Sequence, residues 1–274
     1  MANAIPVLMY HHVSTAPGLV TVSPRTFHAQ MAALARAGYT TLSAAQLHDY
    51  LSGTQTVPDK SVVITFDDGY LDNYIYAYPV LKALGLHAII FAVTGWIGIG
   101  AARPIDSAPA CPDHKTCKAA IAAGQADAVM LRWTEIKTME ASGTMEIHSH
   151  SHRHVRWDQR YANRTEHLLS QVREDLATSM QTLQQQLGAR AYHLCWPWGK
   201  FDADYQRVAA ELGFIAQYSV DPHPNTAGSG TSDIGRFTAK EASARWLATR
   251  LWMYSRPGIA RLYNTLSGKR RVHG

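Results

Sequence analysis

The run SVVITFDDG, residues 61–69, decides how the chain folds. Val62 to Phe66 is a short apolar stretch rich in β-branched residues, the pattern of a buried strand. It leads without a break into two adjacent carboxylates, Asp67 and Asp68, and then Gly69. Outward from it the same strand-then-helix unit recurs. VLMYH (7–11) reads as a strand, and Ser23-Pro24 supplies an N-cap and a first-turn proline for a helix that Gly38 closes. Further helices are expected at 43–52, 72–84, 133–142, 163–187 and 202–212, with strands at 88–93, around 145–148, at 192–196, 214–218 and 234–237. Alternation of this kind predicts an α/β fold with a mostly parallel sheet. Seven or eight strands suit a closed or nearly closed barrel, with an open doubly wound sheet as the alternative. In a barrel the chemistry belongs at the C-terminal ends of the strands, where Asp67 and Asp68 stand.

Composition narrows the function classes. The chain has 274 residues, of which 46% are apolar and 17% charged, which excludes a disordered chain. The formal charge of +5 is unevenly placed. Residues 239–274 hold eight basic residues and only Glu241, whereas 1–238 hold 18 Lys/Arg against 20 Asp/Glu. The body therefore gives no electrostatic reason to expect nucleic acid. The expected organisation is a catalytic domain, 1–238, with an irregular loop insertion at 97–131, and a basic amphipathic helical tail, 239–274. In that tail Trp246, Leu247, Leu251 and Tyr254 recur at helical spacing among arginines, so it either packs on the barrel or contacts an anionic membrane. No apolar stretch of 18 residues exists, and the N-terminal run lacks a basic n-region. The expected location is cytoplasmic or peripheral to the membrane, the alternative an exported chain whose signal has been removed. Cys111 and Cys117 either pair or stay as thiols, and Cys195 is expected to be buried.

Three further clusters carry chemistry. Adjacent carboxylates repel, and a cation on one with the other left as a base relieves the repulsion. They share one site only if the chain turns there, which Gly69 permits. In Glu146–His154, four histidines fall within seven residues. The pairs His148/His152 and His150/His154 both have the i, i+4 spacing that lets two imidazoles meet one ion, so spacing alone does not choose. Cys195-Trp196-Pro197-Trp198-Gly199 places aromatics around a proline at a strand end, a wall suited to the apolar face of a sugar. Tyr10-His11-His12 ends the first strand, where a histidine could act near neutral pH.

Together these pieces resemble the polysaccharide deacetylases, carbohydrate esterase family 4, and most closely the subgroup acting on poly-β-1,6-N-acetylglucosamine. Thr65–Gly69 matches the motif TFDDG, and His150-Ser151-His152-Arg153-His154 matches H-[ST]-x-x-H. The resemblance implies a distorted (β/α) barrel of about seven strands. It also implies a hydrolase that removes N-acetyl groups from an amino sugar in a polysaccharide or oligosaccharide. One divalent ion, zinc or else cobalt, nickel or iron, would be held by Asp68, His150 and His154. Asp67 would be the base and His11 the acid, as in a permuted motif order. The Trp198 backbone N–H would face the oxyanion, and Trp196, Trp198 and Tyr70 would hold the sugar. The family's third-motif arginine is replaced here by Cys195, and Arg236 is the candidate to orient the base in its place. The rival readings are a deacetylase of a lipid-linked sugar, another amide hydrolase on the same site, and a glycan-binding module with a vestigial metal site.

Overall fold

The structure is a computed structural model that describes residues 4–107, 111–160 and 165–267. Lys269, Arg270 and Arg271 of the tail lie outside the described residues. Seven parallel strands curl into a distorted barrel: β1 (Val7–Tyr10), β2 (Ser61–Asp68), β3 (Ala88–Ala92), β4 (Met145–Ser149), β5 (Tyr192–Cys195), β6 (Phe214–Tyr218) and β7 (Phe237–Thr238). Their hydrogen-bonded order is β7-β1-β2-β3-β4-β5-β6. Ile234, just ahead of β7, bridges Tyr218 at the end of β6. The order thus returns to its start, and the last strand lies beside the first, with Leu8 opposite Phe237.

The helices follow the strands. They are α1 (Pro24–Arg36), α2 (Ala44–Leu51), α3 (Tyr78–Ala83, entered through a π-helical turn at Asn73–Ala77), α4 (His114–Ala122), α5 (Trp133–Ala141), α6 (Thr165–Leu187), α7 (Ala203–Glu211), α8 (Ala244–Tyr254) and α9 (Pro257–Leu266). Local sequence sets their starts. Ser23 accepts from the Thr26 N–H ahead of Pro24, and Ser43 and Gln46 form a reciprocal capping box. All eight residues of β2 are buried. Ile64 and Phe66 on one side of it pack with Phe27, Leu81, Ile136 and Leu176 of the helices. Val63 on the other side packs with Phe91, Cys195, Tyr218 and, from α2, Leu47. Alternation puts Asp67 on this second, interior face.

Within 97–131, read from the sequence as irregular, Asp113 caps α4 by accepting from the Lys115 and Thr116 N–H groups. Cys117 of α4 packs with Tyr70, Val129 and Met130. Cys111 and Cys117 are both buried free thiols. The segment after 238 continues the same core. Leu247, Leu251, Tyr254 and Ala260 share the cluster of β1 and α1, and Gln30, buried in α1, donates to the Lys240 and Ala242 carbonyls while accepting from the Tyr10 hydroxyl. The large apolar side chains that α8 and α9 leave exposed are Trp252, Leu262 and Leu266. No helix among the described residues is long and apolar enough to cross a membrane.

The start of the barrel holds a polar cluster. Glu146 accepts from the Ala44 N–H at 2.5 Å and lies 3.2 Å from His87 Nε2, with His148 Nε2 at 3.6 Å. Burial alone would raise Glu146, but the His148 and His87 rings outweigh it and hold the carboxyl well below the usual range. Burial alone would lower His87, and its bond to Glu146 raises it instead.

Two measurements follow. Leu251→Ala should cost about 2–5 kcal/mol in urea unfolding; a loss below about 1 kcal/mol would separate the C-terminal helices from the core. Glu146→Gln should cost about 1–3 kcal/mol at its maximum. The carboxylate's contribution is present above its unfolded value near 4.5 and lost in acid. The imidazole's contribution is full below its unfolded value near 6.5 and fades above its raised folded value. The gap between wild type and variant should therefore be widest between these values and close in acid. A gap that does not change with pH would reject this pairing.

Candidate active site

The two carboxylates of β2 share one cavity because the chain turns between them. Asp68 has φ 71° and Gly69 has φ 87°, so the left-handed turn begins one residue before the glycine. A Cβ at Gly69 would fall 3.2 Å from Ile97 Cδ1, so that side chain would have to shift, and the positive φ itself strains any other residue in that turn.

The two groups have different partners. Arg236 donates to both oxygens of Asp67, Nη1 to Oδ1 at 2.6 Å and Nη2 to Oδ2 at 2.8 Å. The remaining donors of the guanidinium are also used, by the Ser219 carbonyl, Thr65 Oγ1 and Cys195 Sγ. Asp67 and Arg236 are 2% and 1% exposed. Burial alone would raise Asp67, but Arg236 outweighs it and keeps the carboxyl below its ordinary value. Cys195, where the resemblance places an arginine, lies 3.9 Å from both Asp67 oxygens. The guanidinium thus comes instead from just ahead of β7 and reaches the same carboxylate.

Asp68 faces the histidines. Its Oδ1 is buried with no hydrogen-bond partner and lies 3.5 Å from both His150 Nε2 and His154 Nε2. His150 Nδ1 is 2.8 Å from the Cys195 carbonyl, which only accepts. Nδ1 therefore carries a proton, and Nε2 is the ring nitrogen left to bind an ion. Burial pushes His154 down to about 3, so its ring is neutral. Three lone-pair donors converging with no hydrogen between them fit a divalent cation, and their ligand atoms lie within 4.8 Å of one another. Asp67, His150 and Cys195 form a second group of that size. Its carboxylate is taken by Arg236, and burial pushes its thiol well up, so it fits an ion less well. The other two histidines of the segment turn elsewhere, His148 to Glu146 and His152 to the Thr94 hydroxyl at 2.9 Å.

The cavity holds about 240 Å³ and is lined by His11, Asp67, Asp68, His150, His154, Trp196 and Trp198, with Leu19, Val20, His114 and Lys118 on its sides. His11 Nε2 lies 3.9 Å from Asp67 Oδ2. His12 points away, with Nδ1 2.6 Å from Asp72 Oδ2. Trp196 is nearly buried and donates to Gln217 Oε1, whereas Trp198 stands half exposed on the rim, 5.3 Å between ring centroids from His154. Tyr70 was expected to hold the sugar. It is fully buried, stacked on His12 at 3.8 Å between centroids, so it supports the wall without forming it. Among the described residues five non-glycines have positive φ: Val20, Asp68, Ser151, His154 and Trp198. Four line this cavity and the fifth, Ser151, adjoins His150. Backbone strain is thus gathered at the site.

The polysaccharide deacetylase family matches residues 54–216. The chain belongs to that family. Among relatives of this deacetylase-family chain, YxkH of Bacillus subtilis (strain 168) is 44% identical over 94 residues, 34% of this chain and 33% of that protein. The poly-beta-1,6-N-acetyl-D-glucosamine N-deacetylase of Escherichia coli (strain K12) is 22% identical over 247 residues, 80% of this chain and 34% of that protein. The chain thus spans about a third of the length of the curated relatives it matches. In fold it is similar to the Streptococcus pyogenes deacetylase PplD in complex with acetate (TM-score 0.73, 22% identity, 92% and 99% of the two chains). It is also similar to IcaB from Ammonifex degensii (TM-score 0.71, 23% identity, 93% and 98%). His11 and Arg236 lie outside the matched residues and enter the site through β1 and the approach to β7.

Sequence reasoning missed His114 and Lys118. Pro112-Asp113 ahead of a helical spacing was the available signal for α4. Arg236→Met should cost about 3–5 kcal/mol, because it leaves Asp67 buried and uncompensated. Adding Asp67→Asn should recover part of that loss in chemical unfolding; strictly additive losses would deny that the pair is coupled.

Proposed function

We propose that this deacetylase-family chain hydrolyses the N-acetyl group of an amino sugar within a glycan. We further propose that Asp68, His150 and His154 hold one divalent ion, zinc in the first instance and cobalt, nickel or iron in its place. The observation that carries the reading is the division of the carboxylate pair. Asp67 is neutralised by a fixed guanidinium, whereas the Asp68 oxygen is left without a hydrogen-bond partner between two imidazoles. When bound, the ion would polarise the acetyl carbonyl and lower the pKa of a water toward about 7.

The residues of the chain do the rest. Asp67, held by Arg236 with both oxygens oriented, takes a proton from the attacking water as general base. Its low proton affinity at rest keeps it ionised and ready. The water oxygen bonds to the acetyl carbon and the C–N bond breaks, giving acetate and a free amine. An amine leaves poorly as an anion, and the proton that Asp67 took from the water passes to it through His11, whose Nε2 lies 3.9 Å from Asp67 Oδ2. Burial lowers His11, while the Asp67 and Asp68 carboxylates raise it in part, with a net shift downward. The Trp198 backbone N–H is the donor proposed for the oxyanion. Trp196 and Trp198 form the apolar wall on which a sugar face would stack. The E. coli relative is named for poly-beta-1,6-N-acetyl-D-glucosamine, and an N-acetylglucosamine exopolysaccharide is the proposed substrate class.

Acetate release from N-acetylated oligosaccharides, with and without chelator, tests the reading. Asp67→Asn should retain one ion per chain and lose about 10²–10⁴ in rate. Asp68→Asn and His150→Ala should lose the ion itself. Wild-type acetate release by Asp67→Asn would remove Asp67 as the base, and release unaffected by chelation would remove the ion.

A further inference from the structure

His114 is the first residue of α4, and its ring lines the same cavity as the carboxylates. Behind it runs a chain of buried polar groups that the proposed reaction does not use. His114 Nδ1 lies 3.1 Å from His12 Nε2, and His12 Nδ1 lies 2.6 Å from Asp72 Oδ2. Asp72 and His12 are each 1% exposed. The other oxygen of Asp72 accepts from Asn73 Nδ2 at 2.8 Å and from the Val13 N–H at 3.4 Å. The Tyr70 ring covers His12, and its hydroxyl approaches His114 Nδ1 at 3.5 Å.

The polarity of this chain follows from its buried end. Burial raises Asp72, but the Asn73 amide and the Val13 N–H on Oδ1 and His12 on Oδ2 all favour its charged form, and a carboxylate among donors accepts. His12 Nδ1 therefore donates to it, and a neutral His12 keeps its lone pair on Nε2. His114 Nδ1 must donate to that lone pair. What remains is His114 Nε2, unprotonated, on a ring that faces the cavity. A buried carboxylate two residues away thus sets the tautomer of a cavity histidine, as the orienting acid does in catalytic triads.

One turn along the same helix, Lys118 also lines the cavity. Its ammonium lies over the rings of Trp198 and Trp96, at 5.3 and 5.4 Å from their centroids. Its charge is directed at aromatic faces, which leaves His114 as the hydrogen-bonding group of this wall. A lone pair repels an anion and attracts a hydroxyl.

We propose that His114 is a substrate-binding residue whose Nε2 accepts a hydrogen bond from a hydroxyl of an uncharged sugar unit, with His12 and Asp72 as positioning residues that lock the accepting tautomer. The inference rests on the reading of the cavity as a glycan site and adds which wall reads the sugar's hydroxyls.

The test uses the metal-loaded protein and an N-acetylglucosamine oligosaccharide. Loss of one such bond by His114→Ala should raise KM about tenfold with kcat within about twofold, with metal content unchanged. His114→Gln, whose amide oxygen can accept in the same place, should restore most of the affinity. Nitrogen-15 spectra of the free protein at pH 8 should show His114 protonated on Nδ1 and bare on Nε2. The opposite tautomer, or an unchanged KM in His114→Ala, overturns the proposal. If wild type releases no acetate, the catalytic reading fails, and calorimetric binding of the same oligosaccharide decides this inference separately. Binding by wild type that weakens in His114→Ala supports it, and no binding or equal binding overturns it.

Discussion

The guanidinium of Arg236 against the carboxylate of Asp67 is the contact on which the site depends. A lone carboxylate inside a barrel would be costly to ionise and would take up a proton instead. The fixed cation removes that option and orients both oxygens at once, which lysine could not do. It also breaks the symmetry of the adjacent pair. Asp67 has a permanent counter-charge supplied by the chain, and Asp68 has none of its own. Two chemically identical side chains, one peptide apart, are therefore given different surroundings, a fixed guanidinium for Asp67 and two imidazoles for Asp68.

The same division governs the histidines. His148, His150, His152 and His154 differ little as a sequence string, yet each meets different partners. His148 is still within β4 and points into the barrel toward Glu146. His150 follows the strand end and is turned by its Nδ1 bond to the Cys195 carbonyl. His152 is tied to Thr94, and His154 swings back through a left-handed backbone to rejoin His150. The strained residues that achieve this are held by their own amides, the Ser151 N–H donating to the Ser149 hydroxyl and the His154 N–H to the Ser151 hydroxyl.

Much of the fold and part of the site was legible in the sequence, for definite reasons. Strand β2 and the turn after it are local features, and an apolar run ending in Asp-Asp-Gly announces them. The barrel follows from repetition of one unit. The seat of Arg236 beside Asp67 was open to suspicion only, because 169 residues separate them and only the closure of β7 on β1 brings them together. The surroundings of Tyr70 were not legible, because an aromatic next to a motif looks the same whether it lines a cavity or stacks behind it on His12. The helix α4 went unread for want of apolar periodicity. Its start is written in Asp113, but a cap without a marked apolar face is a weak signal.

The position of β7 has a consequence for how such a molecule comes into being. Chains emerge from the ribosome N-terminus first, at roughly 5–20 residues per second. The paired aspartates and their histidines are therefore made well before the arginine that neutralises one of them. During that interval the nascent barrel carries an open seam between β1 and β6 and an unbalanced negative pair at its mouth. The last parallel strand acts as a keystone, and the order of synthesis makes the pairing of Asp67 with Arg236 and closure of the fold a single late event.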